Sequence, residues 1–167
     1  MEKLRELNTT LLLIMQNKRI LLAEKQRGFA KGTYNGIGGK QDPGETIEQA
    51  MVRETQEEIG VTPVNYQKIG LINFDVWYKG EHVDLKLHIY KCAEFEGTII
   101  ETEEMKPQWF SLDNIPFDKM LPDDKLWFDK VLEGKCVGGF VKMDQNLKLI
   151  ENKIEEISAL SLVKISA

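Results

Sequence analysis

Between Gly38 and Gly60 the chain passes from a glycine turn into a segment of helical period whose apolar stripe stops halfway. Pro43-Gly44 reads as the turn, Thr46 to Ile59 as the helix, and Gly60 as its C-terminal stop. At about 100° per residue, Ile47, Ala50 and Met51 make one buried stripe. The next turn of that stripe meets Glu54 and Glu58, with Glu57 beside them. The three acids stand at i, i+3 and i+4, so they share a face. Like charges so placed repel by roughly 0.2–0.5 kcal/mol per exposed pair, and by more when partly buried. Something positive has to offset that repulsion. Three convergent carboxylates are hard oxygen donors, the ligand type of Mg²⁺ or Mn²⁺. Taken alone, such acids more often form a solvated helix face.

Composition bounds the rest. A length of 167 residues suits one domain spanning the chain, with 42% hydrophobic and 29% charged residues, both ordinary for a globular protein. A net charge of -5 lacks the footprint of a nucleic-acid polymer binder. Small anions remain open as ligands, through backbone N–H groups, a few lysines or metal ions. Cys92 and Cys136 make neither a disulfide framework nor a C-x-x-C pair, so reduced thiols are expected. The opening "MEKLRELNTT" is too charged for a signal peptide, and no apolar run approaches the ~20 residues of a membrane span. A cytoplasmic monomer without membrane or nucleic-acid partners is the expectation.

The remaining pattern is mixed. "TTLLLIM" and "RILLAEK" around "QNK" read as a hairpin, as do Lys68–Tyr78 and His82–Cys92 around "KGE". Gln26–Lys40 is a glycine-rich loop, and Gln108–Leu112 a short strand. Pro122–Gly134 reads as a second helix, with Leu126, Trp127, Val131 and Leu132 as its buried stripe. "CVGGFVKM" and "NLKLIE" give a last strand pair, and the amphipathic tail Glu151–Ala167 predicts a terminal helix. The class is α+β, with hairpins outnumbering helices.

What decides between a solvated face and a metal-holding one is the frame around the acids. Gly39, Glu45, Arg53-Glu54, Glu57-Glu58, Gly60 and Val61 fit G-x5-E-x7-R-E-x-x-E-E-x-G-V. So many fixed residues at fixed spacing arise by chance in a chain of this size on the order of once per million. The motif resembles the Nudix box. The flanks "KQRGFAKGTYNGIGGK" and "EEMKPQWFSLDNIPFDKMLPDDKLWF" resemble the branch of that family that clears oxidised purine nucleoside triphosphates. The likeness runs from about Thr10 to about Glu151. One departure inside the box is Thr55, where the family usually has an aliphatic residue. Arg53 and Glu45 read as an ion pair tying loop to helix.

The resemblance implies a Nudix fold, a mixed sheet or partial barrel sandwiched between helices. It implies Mg²⁺, or Mn²⁺, and a small nucleotide substrate such as 8-oxo-dGTP or 2-hydroxy-dATP, cleaved to monophosphate and pyrophosphate. Metal ligands would be Glu54, Glu57, Glu58, Glu104 and the carbonyl of Gly38, the four glutamates also serving catalysis. Glu58 is the first choice for proton acceptor and Glu104 the second. Base contacts would come from Asn35, Asp123 and Asp124, with Thr10 and Lys25 nearby. Phe29, Phe74, Met105 and Trp127 would wall the pocket, and Gly38, Gly39, Lys40 and Leu121 complete the substrate-binding set. From the residues alone, Asp123-Asp124 at a helix start also fits an N-cap, and Trp127 fits ordinary packing. Glu103 competes with Glu104, and His82 and His88 read as plain strand residues. Leu121 and Val76 stand where the family has aromatic residues, which points to weaker stacking or to a different modified base. A non-catalytic nucleotide sensor is disfavoured by the full set of box glutamates.

Overall fold

A computed structural model describes residues 2–167. Strands β1 (Arg5–Gln16) and β2 (Arg19–Lys25) form the first hairpin, with Ile14 opposite Leu21. Its turn residues Asn17 and Lys18 have φ of 51° and 61°, the handedness that suits the twist of the flanking strands. The glycine loop ends in β3 (Tyr34–Asn35), paired to β2. Helix α1 (Ile47–Ile59) opens on a capping box: the Thr46 hydroxyl accepts from Gln49 N–H, and the Gln49 side chain accepts from Thr46 N–H. Gly60, at φ 78°, closes it. There follow β4 (Thr62–Val64), β5 (Gln67–Tyr78), β6 (Glu81–Cys92), β7 (Glu94–Glu96) and β8 (Met105–Ser111). Helix α2 (Asp124–Leu132), β9 (Cys136–Met143), β10 (Leu149–Ile157) and α3 (Ala159–Ser166) complete the chain.

One mixed sheet runs in the order β10-β9-β5-β6-β1-β2-β3, with β8 also on β2; β4 and β7 form a separate ribbon. β1 lies parallel to β6, and β5 to β9, while the hairpins supply antiparallel pairs. The pleat sends alternate residues to opposite faces. Leu11, Leu13, Ile72, Phe74 and Ile89 face α2 and its Trp127, Phe128 and Val131. Leu12, Ile14 and Tyr90 meet Met51 and Ile59 of α1 on the other face. α3 packs against β5 and β9, with Leu162 buried beneath it. The mixed sheet between helices is therefore as expected; it stays open and does not close into a barrel.

Two elements differ from expectation. The stretch from Glu151 to Ile157 belongs to β10, and only Ala159–Ser166 is helical. β10 pairs with β9 from Leu149↔Met143 to Ile157↔Cys136, and that ladder overrides the helical spacing of its isoleucines. The buried stripe of α2 is Asp124, Trp127, Phe128 and Val131, whereas Leu126 and Leu132 are only partly covered. This i, i+3, i+4, i+7 set is a regular stripe once an aspartate is allowed into it. Among the described residues, no helix is long and apolar enough to cross a membrane.

Candidate active site

The site begins where the glycine loop lies against β1. Thr10 N–H donates to the Gly39 carbonyl at 2.9 Å, and Leu12 and Ile37 exchange backbone hydrogen bonds. A Cβ on Gly38 would stand 1.7 Å from the Thr10 carbonyl oxygen, and one on Gly39 2.4 Å from the Glu54 carboxyl carbon. Glycine is therefore required for loop, strand and helix to approach so closely. Arg53 then ties loop to helix, as the sequence implied. It donates to Glu45 at 2.6 Å, Glu54 at 3.0 Å, Glu57 at 3.2 Å and the Lys40 carbonyl at 2.9 Å. Thr55 is fully buried, and its hydroxyl donates to the Met51 carbonyl at 2.8 Å, so the departure from an aliphatic residue leaves no unpaired polar group.

Glu58 is the buried member of the box, 4% exposed, and accepts from Gly38 N–H at 3.3 Å. Burial pushes its carboxyl up to about 8, and the charge of Glu54 adds to the shift. Glu54 is raised as well, first by burial and then, against the pull of Arg53, by Glu57 and Glu104. Glu104, in the bend just before β8, accepts from Arg27 at 2.7 Å, while Glu103 lies 3.6 Å away from the same guanidinium and is more exposed. Glu104, not Glu103, acts on the box acids, since its charge raises both Glu54 and Glu58.

Among the described residues, no three His, Cys, Asp or Glu side chains converge closely enough to hold a metal ion. The expected ligand set is thus spread out, for a physical reason: Arg53 draws Glu54 and Glu57 to itself, and Arg27 draws Glu104. Gly38 meets Glu58 through its N–H. The donor chemistry nonetheless fits a hard divalent cation. A buried Glu58 and a half-buried Glu54, each raised by desolvation and by the charge of neighbouring acids, are an environment in which added positive charge is favourable.

From Gly38, Gly39 and Lys40 a cleft runs past Thr10, Lys25 and Met105 toward α2. Lys25 is half-buried; desolvation lowers its pKa, and the charge of Glu58 opposes that shift. Phe29, Asn35 and Leu121 line the cleft along both halves. Its deep half, about 180 Å³, is bounded by Phe74, Val76, Asp123 and Asp124. That volume falls below the ~300 Å³ at which whole-ligand sites begin, so it takes part of a ligand. Asp123 and Asp124 are 5% and 1% exposed. Asp123 makes no cap hydrogen bond to α2, so the capping role is not what holds it there. The Asp124 carboxylate accepts from Leu121 N–H at 3.0 Å and from the Asn35 amide at 3.4 Å. Burial raises both carboxyls, and the charge of Asp123 raises Asp124 further, so each binds a proton more tightly than an exposed aspartate does.

Trp127 does not line the cleft as the expected stacking wall. It is fully buried behind Asp123, to which its indole N–H reaches at 3.5 Å, and it packs on Phe128 with ring centroids 4.4 Å apart. An i, i+3 spacing on α2 explains this: the stripe that turns Asp124 inward carries Trp127 into the core. Tyr78, Leu87, Met143 and Leu147 also line the cleft without having been expected there. Tyr78 was readable in principle, since it continues the i, i+2 face of Phe74 and Val76. His88 lies on the other sheet face, between Lys68 at 2.8 Å and Asn8 at 2.9 Å, and burial pushes it down to about 4.

The model of the NUDIX domain matches residues 5–131. A relative from Danio rerio named oxidized purine nucleoside triphosphate hydrolase is 44% identical over 151 residues, which is 90% of this chain and 96% of the relative. The Mus musculus protein of the same name is 40% identical over 150 residues, covering 90% and 95%. Among solved structures, a mutator MutT protein from Bacillus halodurans superposes with a TM-score of 0.79 at 26% identity, covering 89% of this chain and 97% of that one. With its box helix, glycine loop and mixed sheet in place, the chain belongs to the Nudix family.

Proposed function

We propose that the protein hydrolyses oxidised purine nucleoside triphosphates to the monophosphate and pyrophosphate, with Mg²⁺ as the metal, and so cleans the nucleotide pool. The observation that carries this reading is the buried Asp123-Asp124 pair at the apolar end of a cleft whose other end reaches Gly38 and the acids of α1. The names of the fish and mouse relatives support it. Two adjacent buried carboxyls with raised proton affinity can between them donate and accept, which suits the hydrogen-bonding edge of 8-oxo-guanine and of 2-hydroxy-adenine. Asn35 orients Asp124, and Leu121 N–H fixes its second oxygen.

Nudix hydrolases work with divalent metal ions. Glu54, Glu57, Glu58 and Glu104 would hold such an ion, which would supply charge neutralisation at the phosphates and acidify the attacking water. Lys25 adds a cation beside Glu58 on the substrate's path. Glu58 is the best placed proton acceptor, because it is buried at the Gly38 end of the cleft and held by Gly38 N–H. Arg53 orients Glu54 and Glu57 and keeps the loop on the helix. Val76 and Leu121 favour a second reading, in which the aliphatic walls admit another modified purine such as O6-methyl-dGTP.

The deciding experiment is kcat/KM with Mg²⁺ for 8-oxo-dGTP, 2-hydroxy-dATP, O6-methyl-dGTP and dGTP, following pyrophosphate, on wild type and Glu58→Gln. A large preference for the oxidised bases, abolished in kcat by the variant, is expected. Equal slow rates on all four would overturn the substrate assignment, and a variant as fast as wild type would remove Glu58 from the chemistry.

A further inference from the structure

Two walls of the cleft are aliphatic, and an aromatic ring stands beside them. Val76 and Leu121, both facing the deep half, are aliphatic. Tyr78 stands two residues beyond Val76 on the same face of β5 and lines both halves of the cleft. Its ring meets that of Phe29 edge to face, with centroids 5.5 Å apart and planes at 64°. Lys25 Nζ lies 5.7 Å from the Phe29 centroid and Lys79 Nζ 5.3 Å from that of Tyr78, so an ammonium flanks each ring.

The wall so formed joins a rigid part to a glycine-rich one. Tyr78 is the last residue of β5 and pairs with Glu81 across a turn whose Lys79 and Gly80 have φ of 51° and 81°. That geometry fixes the ring at the hairpin tip. Phe29 is carried by a loop with left-handed backbone at Gly28, Ala30 and Gly32. Trp127, the other aromatic side chain expected at the base, is shut in the core. The aromatic surface open to a base in this cleft thus comes from Phe74, Phe29 and Tyr78, with Trp77 at its rim already stacked on His82.

We infer that Tyr78, paired with Phe29, is a specificity-determining wall of the base cleft, replacing the aromatic contact that Leu121 and Val76 do not supply. The inference rests on the proposed purine substrate and deepens it. The ring is the active part: it offers a flat edge-and-face surface to a purine, and a smaller pyrimidine reaches it less well.

The test compares wild type with Tyr78→Ala, Tyr78→Phe and Tyr78→Ala/Leu121→Trp. Calorimetric binding of 8-oxo-dGMP is measured beside KM and kcat for 8-oxo-dGTP. Tyr78→Ala is expected to raise Kd and KM about three- to tenfold, to change kcat less, and to narrow the preference for purine over pyrimidine triphosphates. Tyr78→Phe should keep near wild-type values, and the added tryptophan should restore most of the loss. Unchanged Kd and KM in Tyr78→Ala, with wild type binding 8-oxo-dGMP, would overturn the wall while leaving the functional reading intact. Failure of the tryptophan to restore affinity in a variant that melts like wild type would overturn the compensation. A wild type that neither binds 8-oxo-dGMP nor turns over any purine triphosphate would overturn the functional reading, and the wall with it.

Discussion

Asp123 shows how one side chain can be costly for the fold and useful for the site. Its carboxyl and that of Asp124 are held above the ordinary 3.8 by burial, so the folded state binds their protons more tightly than the unfolded chain does. The stabilisation from that proton uptake is complete below the unfolded pKa and is lost as pH rises through the folded values. Stability attributable to the pair therefore declines as pH rises above about 4, through about 6 where Asp123 titrates, and further as Asp124 follows. Asp123→Asn removes one titrating group and keeps an oxygen for the Trp127 indole. The variant should show a shallower fall of Tm across that range, while kcat/KM for 8-oxo-dGTP drops about ten- to a hundredfold, the worth of a hydrogen bond to a charged group. Thermal melts over pH beside the kinetics check both. An equally steep Tm profile, or an undiminished kcat/KM, would return Asp123 to a structural role.

The unit formed by the glycine loop and α1 works through one guanidinium. Arg53 reaches Glu45 in the loop, Glu54 and Glu57 on the helix, and the Lys40 carbonyl next to the cleft. It thus sets where two of the proposed metal-binding carboxylates point without itself reaching the cleft. Arg53→Ala is expected to cost about ten- to a hundredfold in kcat/KM, the usual range for a residue orienting metal ligands, with part of the loss recovered at higher Mg²⁺. Magnesium titrations of activity would show it. A variant whose Mg²⁺ dependence matches wild type would confine Arg53 to holding the loop. The box motif made this unit readable before any fold was known, because spacing on a helix fixes which acids share a face. The way Arg53 and Arg27 share out those acids was not readable, since Arg27 and Glu104 are 77 residues apart.

Across the molecule, the sheet separates function from support. The cleft opens on the α2 face, while α3 lies on the opposite face with Leu162 3% exposed beneath it. Leu162→Ala should therefore cost about 2–5 kcal/mol of stability, as deletions of buried leucine do, and leave kcat/KM near wild type. Denaturant unfolding and steady-state kinetics decide this, and a parallel loss of activity would mean that the two faces are coupled. The hairpins, α1 and its caps, and the acids at i, i+3 and i+4 could all be read from local pattern, because turn chemistry and helical period act over a few residues. The pair Asp123-Asp124, which a local reading makes an exposed cap, is buried, while Trp127 lies in the core as its place in the apolar stripe implied. The polar pair faces the cleft, and the aromatic residue supports it from the core. β10 likewise took a strand's form because β9 offered it a ladder. Side chains close in sequence are placed by backbone period, but burial, partner and protonation depend on what distant strands bring against them, and that is fixed only once the sheet has assembled.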